Sequence, residues 1–260
     1  MGILNVTPDS FSDGGRFKDV QAAIDCALQM TADGAAFIDI GAESTRPGST
    51  AVAPNEQLAR LLPVLKGLRA KSATEISIDT RCAEVAEACL DEGATIINDV
   101  SALRHDPEML GLIANKNCGV ILMHMLGTPE TMQHNPVYED VIGDILTFFK
   151  SRLAVCEQAG IALARVRLDP GVGFGKTFEH NLEIVRRFDA FHALNRPVIA
   201  GVSRKGFLGR LTGEQDPSRR DAASIAAGLL LARKGAAVLR VHDVAGHVSA
   251  LKVVQSLESV

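Results

Sequence analysis

The chain has 260 residues, 47% of them apolar and 22% charged, with a net charge of −4; that suits one barrel or two small domains, and such a chain buries roughly three quarters of its unfolded surface. No basic tail or run of like charges accompanies the mild acidity, which argues against a nucleic-acid partner. No apolar stretch approaches the ~18 residues of a membrane span, and the start is not a secretory signal, so a cytoplasmic protein without a membrane partner is expected.

The predicted elements repeat one rhythm, a short apolar run ending in polar side chains and then a helical stretch. Residues 2–6 end near Asn5 and Thr7, with helical periodicity over 20–30. Residues 36–40 surround Asp39 ahead of a helix over 58–68, and 75–78 end in Asp79 ahead of one over 84–90. The run 95–97 leads into Asn98 and Asp99, and 120–123 leads into His124 before a helix over 141–155. Residues 166–168 end in Asp169 before a helix over 182–191, and 198–202 end in Ser203 and Lys205 before one over 222–231. The last run, 238–241, holds Arg240, continues into His242, and precedes a helix over 248–257.

Short apolar runs without alternation are what a parallel sheet buried on both faces demands. Eight strand–helix units in this length predict an α/β protein of the (β/α)8 TIM-barrel class, a single domain over 1–260, whose strand ends surround one pocket. Glycines in Asp33-Gly34-Ala35, Glu92-Gly93-Ala94, Ala159-Gly160-Ile161 and Lys234-Gly235-Ala236 mark helix ends that need a left-handed residue. An open doubly wound sheet shares the rhythm, but no dinucleotide fingerprint supports it. The five cysteines, odd in number and without a C-x-x-C pair, read as small buried hydrophobes of a reducing compartment.

Several strand ends carry chemistry. The segment from Asn5 to Gly15 could fold over a ligand and offer oxygen donors to a hard cation, or be a turn capped by Ser12 or Asp13. Arg46, fixed ahead of Pro47-Gly48, suits an anion carried by a substrate; alternatively it is a solvated arginine in a turn. Asp79, Asn98 and Asp169 close three different strands, and carboxylate and amide groups together suit a flat heterocycle with an amidine-like edge.

The run from Asp169 to Thr177 invites a phosphate-loop reading and fails on spacing, because Pro170 stands where the first glycine belongs. Close backbone approach around an apolar Phe174 fits better. Lys205 keeps period 2 with Gly201 and Ser203, so extended geometry would aim it into the mouth. Arg240 and His242, also two apart, read as paired cationic donors for an oxyanion or diphosphate. His105, His134, His180, His192 and His247 read as ordinary surface residues.

The segments GILNVTPDSFSDGG, DIGAESTRPGS, SIDT, INDV, MHMLGTPETMQ, DPGVGFGKT, VSRKGFLGRLTG and RVHDV, in that order over residues 2–244, resemble the dihydropteroate synthase family. The resemblance implies a homodimeric barrel of folate biosynthesis. It would join 6-hydroxymethyl-7,8-dihydropterin diphosphate to 4-aminobenzoate, with Mg2+. By motif position, Asn5 matches the metal-binding asparagine, and Asp79, Asn98, Asp169 and Lys205 the pterin pocket. Arg240 and His242 match the diphosphate site, Asp13 the first flexible loop, and Thr45, Arg46 and Pro47 the second. Phe174 and Ser203 match positions near the aminobenzoate. Gly206 and Ala42 depart from the commoner serine and glycine, and family members usually carry some residues ahead of the first strand. Pterin-binding methyltransferases need neither the first loop nor RVHDV, a Schiff-base aldolase through Lys205 would not need the diphosphate cluster, and a non-catalytic paralogue should have lost such residues.

Overall fold

Parallel strands whose outer faces are wholly apolar must be covered by helices, and this chain covers each in turn. In the computed structural model, which describes residues 1–7, 16–43 and 51–258, the elements alternate strictly at first. They are β1 (Gly2–Asn5), α1 (Arg16–Ala32), β2 (Phe37–Gly41), α2 (Pro54–Arg69), β3 (Glu75–Asp79), α3 (Ala83–Asp91), β4 (Ile96–Asp99) and α4 (Met109–Asn115). The second half comprises β5 (Gly119–Met123), α5 (Val141–Gln158), β6 (Val166–Asp169), α6 (Phe178–Arg186), β7 (Ile199–Ala200), α7 (Gly206–Thr212), α8 (Asp221–Arg233), β8 (Val238–Leu239) and α9 (Val244–Glu258).

Strands β1 to β6 pair in chain order, all parallel, and β7 pairs with β8. Leu168 pairs with Val198 to join β6 to β7, and Gly2 pairs with Val241 just past β8. The first and last strands therefore meet and the sheet closes, which is the (β/α)8 barrel and excludes the open doubly wound alternative.

The strands are buried on both faces, as read from the sequence, but the two faces differ in what they carry. Outward residues such as Ile38, Ile40, Ile76, Ile78, Ile97, Val120 and Leu168 pack with the helices into the main core. Inward residues change character along the barrel axis. Phe37, Ile96, Ile121 and Ile199 form a separate apolar plug at the bottom with Met1. Nearer the carboxyl ends, the same faces carry Asp39, Asn98 and Arg240, which meet one another through hydrogen bonds. Burying alternate residues at the bottom and pairing charges at the top gives a packed floor beneath a polar mouth.

All four predicted helix-closing glycines, Gly34, Gly93, Gly160 and Gly235, have positive φ. The expected helix over 182–191 is instead α6 followed by a 3-10 helix, Phe188–Leu194. At three residues per turn, positions i and i+3 eclipse, so Phe188 and Phe191 both drop into the core, with ring centroids 5.9 Å apart. Helices α4 and α7, seven residues each, are too short to show periodicity in sequence. Cys89, Cys118 and Cys156 are buried, and burial pushes the Cys89 thiol up to about 12, as an inert hydrophobe requires. Among the described residues no helix is long and apolar enough to cross a membrane.

Candidate active site

The carboxyl ends of the strands open into a cavity of about 1030 Å³. Asn5 at the end of β1 and Thr7 beyond it, Asp79 at the end of β3, Phe174 after β6, Ser203 and Lys205 after β7, and Arg240 and His242 after β8 all line it. Segments more than 200 residues apart in sequence thus share one concave surface, as expected at this rim.

At its base a guanidinium sits between two carboxylates. Arg240 donates through Nε to Asp39 Oδ2 at 2.7 Å and through Nη2 to Asp79 Oδ2 at 2.9 Å. Asp39 Oδ2 also accepts from Asn98 Nδ2 at 3.1 Å, while its Oδ1 is buried without a hydrogen-bond partner. Asp39 is fully buried, so a lone carboxylate there would be costly, and the fork of Arg240 compensates it. Burial opposes the Arg240 charge, but Asp39 and Asp79 outweigh it and hold the guanidinium protonated above its usual range. For Asp79 burial wins: it pushes the carboxyl up to about 7 despite Arg240, with Asp39 adding repulsion. Asp79 is therefore a group near its titration point, beside a permanent cation.

Asp169 is buried at the end of β6 and caps its own turn, with Oδ1 accepting from Gly171 N at 2.8 Å. Burial raises its pKa, countered by that hydrogen bond and by Lys205. The Lys205 ammonium lies 4.0 Å from the centre of the Phe174 ring, a cation–π contact. Burial lowers Lys205 to about 8, against the pull of Asp169. Lys205 lines the mouth, but not through the extended geometry on which its placement was conditional. Strand geometry does not extend from Gly201: β7 ends at Ala200, Arg204 is left-handed at φ 59°, and Lys205 N donates to Val202 O in a turn. Arg204 is pinned there by Asp221, through Nε and Nη2 at 2.7 and 2.8 Å, and by its own N–H to Ser224 Oγ at 2.9 Å. Lys205 then enters the mouth as the residue capping α7.

His242 is also not the cation that sequence spacing suggested. Burial, with Arg204 and Arg240 nearby, lowers its pKa to about 3, so the ring is neutral at pH 7. Ser203 Oγ accepts from His242 N at 3.2 Å and stands 2.9 Å from Nδ1. That hydroxyl has one proton and two lone pairs, so it meets Nδ1 as donor or as acceptor according to the tautomer of the ring.

Asn98 stands one hydrogen bond behind the cavity wall, bonded to Asp39 rather than lining the wall itself. Asp13, Thr45, Arg46 and Pro47 lie outside the described residues. His105, His134 and His192 are exposed as expected, but His247 is 2% exposed: its Nδ1 donates to Asp243 O, its Nε2 has no partner, and its ring presses on Gly228 of α8. Sequence reasoning did not nominate Asp39, Lys176, or the buried Glu43–Arg81 ion pair at 3.2 Å beside the cavity. For Asp39 a signal existed, since a charge flanked by isoleucines in a strand must face inward with Phe37 and Gly41.

Among the described residues no group of three or more His, Cys, Asp or Glu side chains could hold a metal. Acceptors, donors and the permanent cation Arg240 at the base, with Arg204 and Arg210 also in the lining, suit binding a flat polar ring while stabilising negative charge near β8.

The family profile described as pterin binding enzyme matches residues 1–242. Dihydropteroate synthase of Escherichia coli (strain K12) is 44% identical over 256 residues, 98% of this chain and 90% of that protein. The structure of Xanthomonas albilineans dihydropteroate synthase with 4-aminobenzoic acid has a TM-score of 0.94 at 46% identity, covering 100% of this chain and 93% of the other. Dihydropteroate synthase from the same organism in complex with 7,8-dihydropteroate has a TM-score of 0.90 at 43% identity, again covering 100% and 93%.

Proposed function

Since the chain belongs to the pterin-binding enzyme family, we propose that it condenses 6-hydroxymethyl-7,8-dihydropterin diphosphate with 4-aminobenzoate to give 7,8-dihydropteroate and diphosphate, a step of folate biosynthesis. It is a transferase, and its 260 residues act as one pterin-binding barrel domain. The observation that carries this reading is Arg240, held between Asp39 and Asp79 at the base of the mouth with a neutral His242 on the same strand face.

The carbon–oxygen bond between the pterin methylene and the diphosphate breaks as the leaving group takes the electron pair. Negative charge grows on the diphosphate, beside Arg240 and the His242 ring, while positive charge grows on the pterin methylene. Asp79 and Asp169 stabilise that positive charge and hold the ring edge, and Asn98 positions Asp39 behind them. Lys205, just ahead of α7, lines the pocket with its ammonium against the Phe174 ring. The amine nitrogen then forms the new bond and sheds its proton; an aromatic amine is neutral at pH 7, so no strong general base is needed.

The Asn5 amide oxygen at the cavity wall suits a Mg2+ ion held mostly by diphosphate oxygens and water, since a hard cation of that kind needs few protein ligands. When bound, the ion neutralises charge on the leaving group. By motif position, Asp13 and Thr45, Arg46 and Pro47 belong to loops that would complete the aminobenzoate site beside Phe174 and Ser203. The protein is read as cytoplasmic, in keeping with five unpaired cysteines. It is also read as a homodimer, supported by exposed Leu230 on α8 and Val253 and Leu257 on α9.

Diphosphate release tests the function directly. It should require both the pterin diphosphate and 4-aminobenzoate, and a sulfonamide should compete with the arylamine. Release without the arylamine, or none with both substrates and Mg2+ present, would remove the assignment.

A further inference from the structure

The glycine-rich run after β6 is not a phosphate loop by its spacing, which leaves its lysine without a purpose. The loop carries Phe174 into the cavity and lies hard against the chain that leaves β5. At Gly171, φ 68°, a Cβ would stand 1.9 Å from His124 O; at Gly175, φ 62°, one would stand 2.6 Å from Leu126 O. Backbone can approach that closely only without side chains. Asp169 and Asn181 hold the loop's N–H groups, accepting from Gly171 N at 2.8 Å and Gly173 N at 2.6 Å, and three further side chains donate to three successive carbonyls. Gln133 Nε2 donates to Gly173 O at 3.1 Å, Lys176 Nζ to Phe174 O at 2.9 Å, and the Tyr138 hydroxyl to Gly175 O at 2.7 Å.

Lys176 alone of these also grips the end of β5. Its Nζ lies 3.0 Å from His124 Nδ1 and 3.3 Å from His124 O. Burial, with Lys176 and Arg104 nearby, lowers His124 to about 2, so the imidazole is neutral and its Nδ1 can accept. Three ammonium protons therefore meet three acceptors, and at 3% exposure the amine has none left for a ligand.

We propose that Lys176 is a positioning residue, whose amine locks the Phe174 loop onto the end of β5 and so sets the surface against which the arylamine packs. The substrate in this proposal rests on the function assigned above, whereas the lock itself does not. The groups facing the amine are His124 from the end of β5, Asp169 from β6, Lys205 at the start of α7, and the Tyr138 ring 6.0 Å away. Burial lowers Lys176 to about 7, opposed by Asp169. A neutral amine keeps two protons, so one of its three acceptors is abandoned as pH rises through that value.

Two measurements on the full-length protein test the lock. In steady-state kinetics, Lys176→Met should raise KM for 4-aminobenzoate about tenfold, while KM for the pterin diphosphate stays within about twofold. The wild-type KM for 4-aminobenzoate should rise between pH 6 and 8 more steeply than that of the variant, in which only Lys205 and Asp79 still titrate. In ligand-free protein, hydrogen exchange over residues 170–177 should quicken in Lys176→Met, and in wild type between pH 6 and 8 after correction for intrinsic exchange. Equal rises in both KM values, or exchange over 170–177 unchanged by substitution and by pH, would overturn the proposal. A wild type without synthase turnover would sink the functional assignment, yet exchange would still decide the lock. The wild-type pH series does so even if the variant fails to fold.

Discussion

Replacing Arg240 with methionine should damage stability and turnover together, and the two losses should separate with pH. Methionine keeps the stem's bulk but removes the guanidinium that spans Asp39 Oδ2 at 2.7 Å and Asp79 Oδ2 at 2.9 Å. Asp39 is fully buried and would be left as an uncompensated charge beside another carboxylate. Breaking a buried pair from one side costs about 3–5 kcal/mol, equivalent to a melting point lower by roughly 10 °C for a chain of this length. Burial has already raised Asp79 to about 7, and losing the cation raises it further. A carboxyl with a raised folded pKa gives stability that is present at low pH and lost as pH rises through that pKa. The variant should therefore regain stability between pH 8 and pH 5, at up to about 1.4 kcal/mol per pH unit. Thermal unfolding across that range measures it. Turnover, which needs the guanidinium itself, should stay down by about 10²- to 10³-fold at both ends. Arg240→Lys supplies charge without the planar fork, so it should recover much of the stability and little of the rate. A methionine variant that melts within 2 °C of wild type at pH 8 on the order of experimental error, or that turns over normally, would refute the reasoning.

Gly171→Ala should destabilise the protein by about 2–4 kcal/mol, because the new Cβ would stand 1.9 Å from His124 O at φ 68°. Gly160→Ala, at φ 81° with open space around it, should cost only about 1 kcal/mol, so equal melting-point drops would count against the steric account. His242 holds its pKa at about 3 against an ordinary 6.5. The unfolded chain therefore takes up a proton first on acidification, and stability should fall as pH drops from 6.5 toward 3. His242→Asn should flatten part of that slope, and a wild-type ring that titrates near 6.5 by NMR would show that it is not held neutral. If α8 and α9 form the proposed dimer surface, Leu230→Glu with Val253→Glu should sediment as a monomer, whereas a dimer of unchanged affinity would place the interface elsewhere.

What the sequence made legible was whatever depends on a few neighbouring residues. Strand ends were readable because each apolar run stops at a polar side chain, and Asp79, Asp169, Arg240 and His242 stand at or just past such ends. Helix ends were readable because a left-handed residue there is nearly always glycine. Helices α4 and α7 were not, since seven residues give barely two turns of pattern. The chain after α6 carries two phenylalanines three apart, a spacing that suits an α-helix and a 3-10 helix alike; only the core beneath them selects the tighter form.

The electrostatics of the site were hidden for a different reason: each charge is defined by partners distant in sequence. The carboxylate that Arg240 grips most closely is 201 residues away, and it lies mid-strand rather than at a strand end. A histidine two residues from an arginine looks like a second cation until burial and the flanking Arg204 and Arg240 are counted, and these leave it neutral. Lys205 was placed by an extended geometry that Arg204 interrupts, yet the turn held by Asp221 and Ser224 delivers it to the same mouth. Local pattern thus selects which residues reach the rim, because barrel topology brings every strand end there. Protonation, pairing and direction belong to the closed ring, where β8 meets β1 and Arg240 meets Asp39.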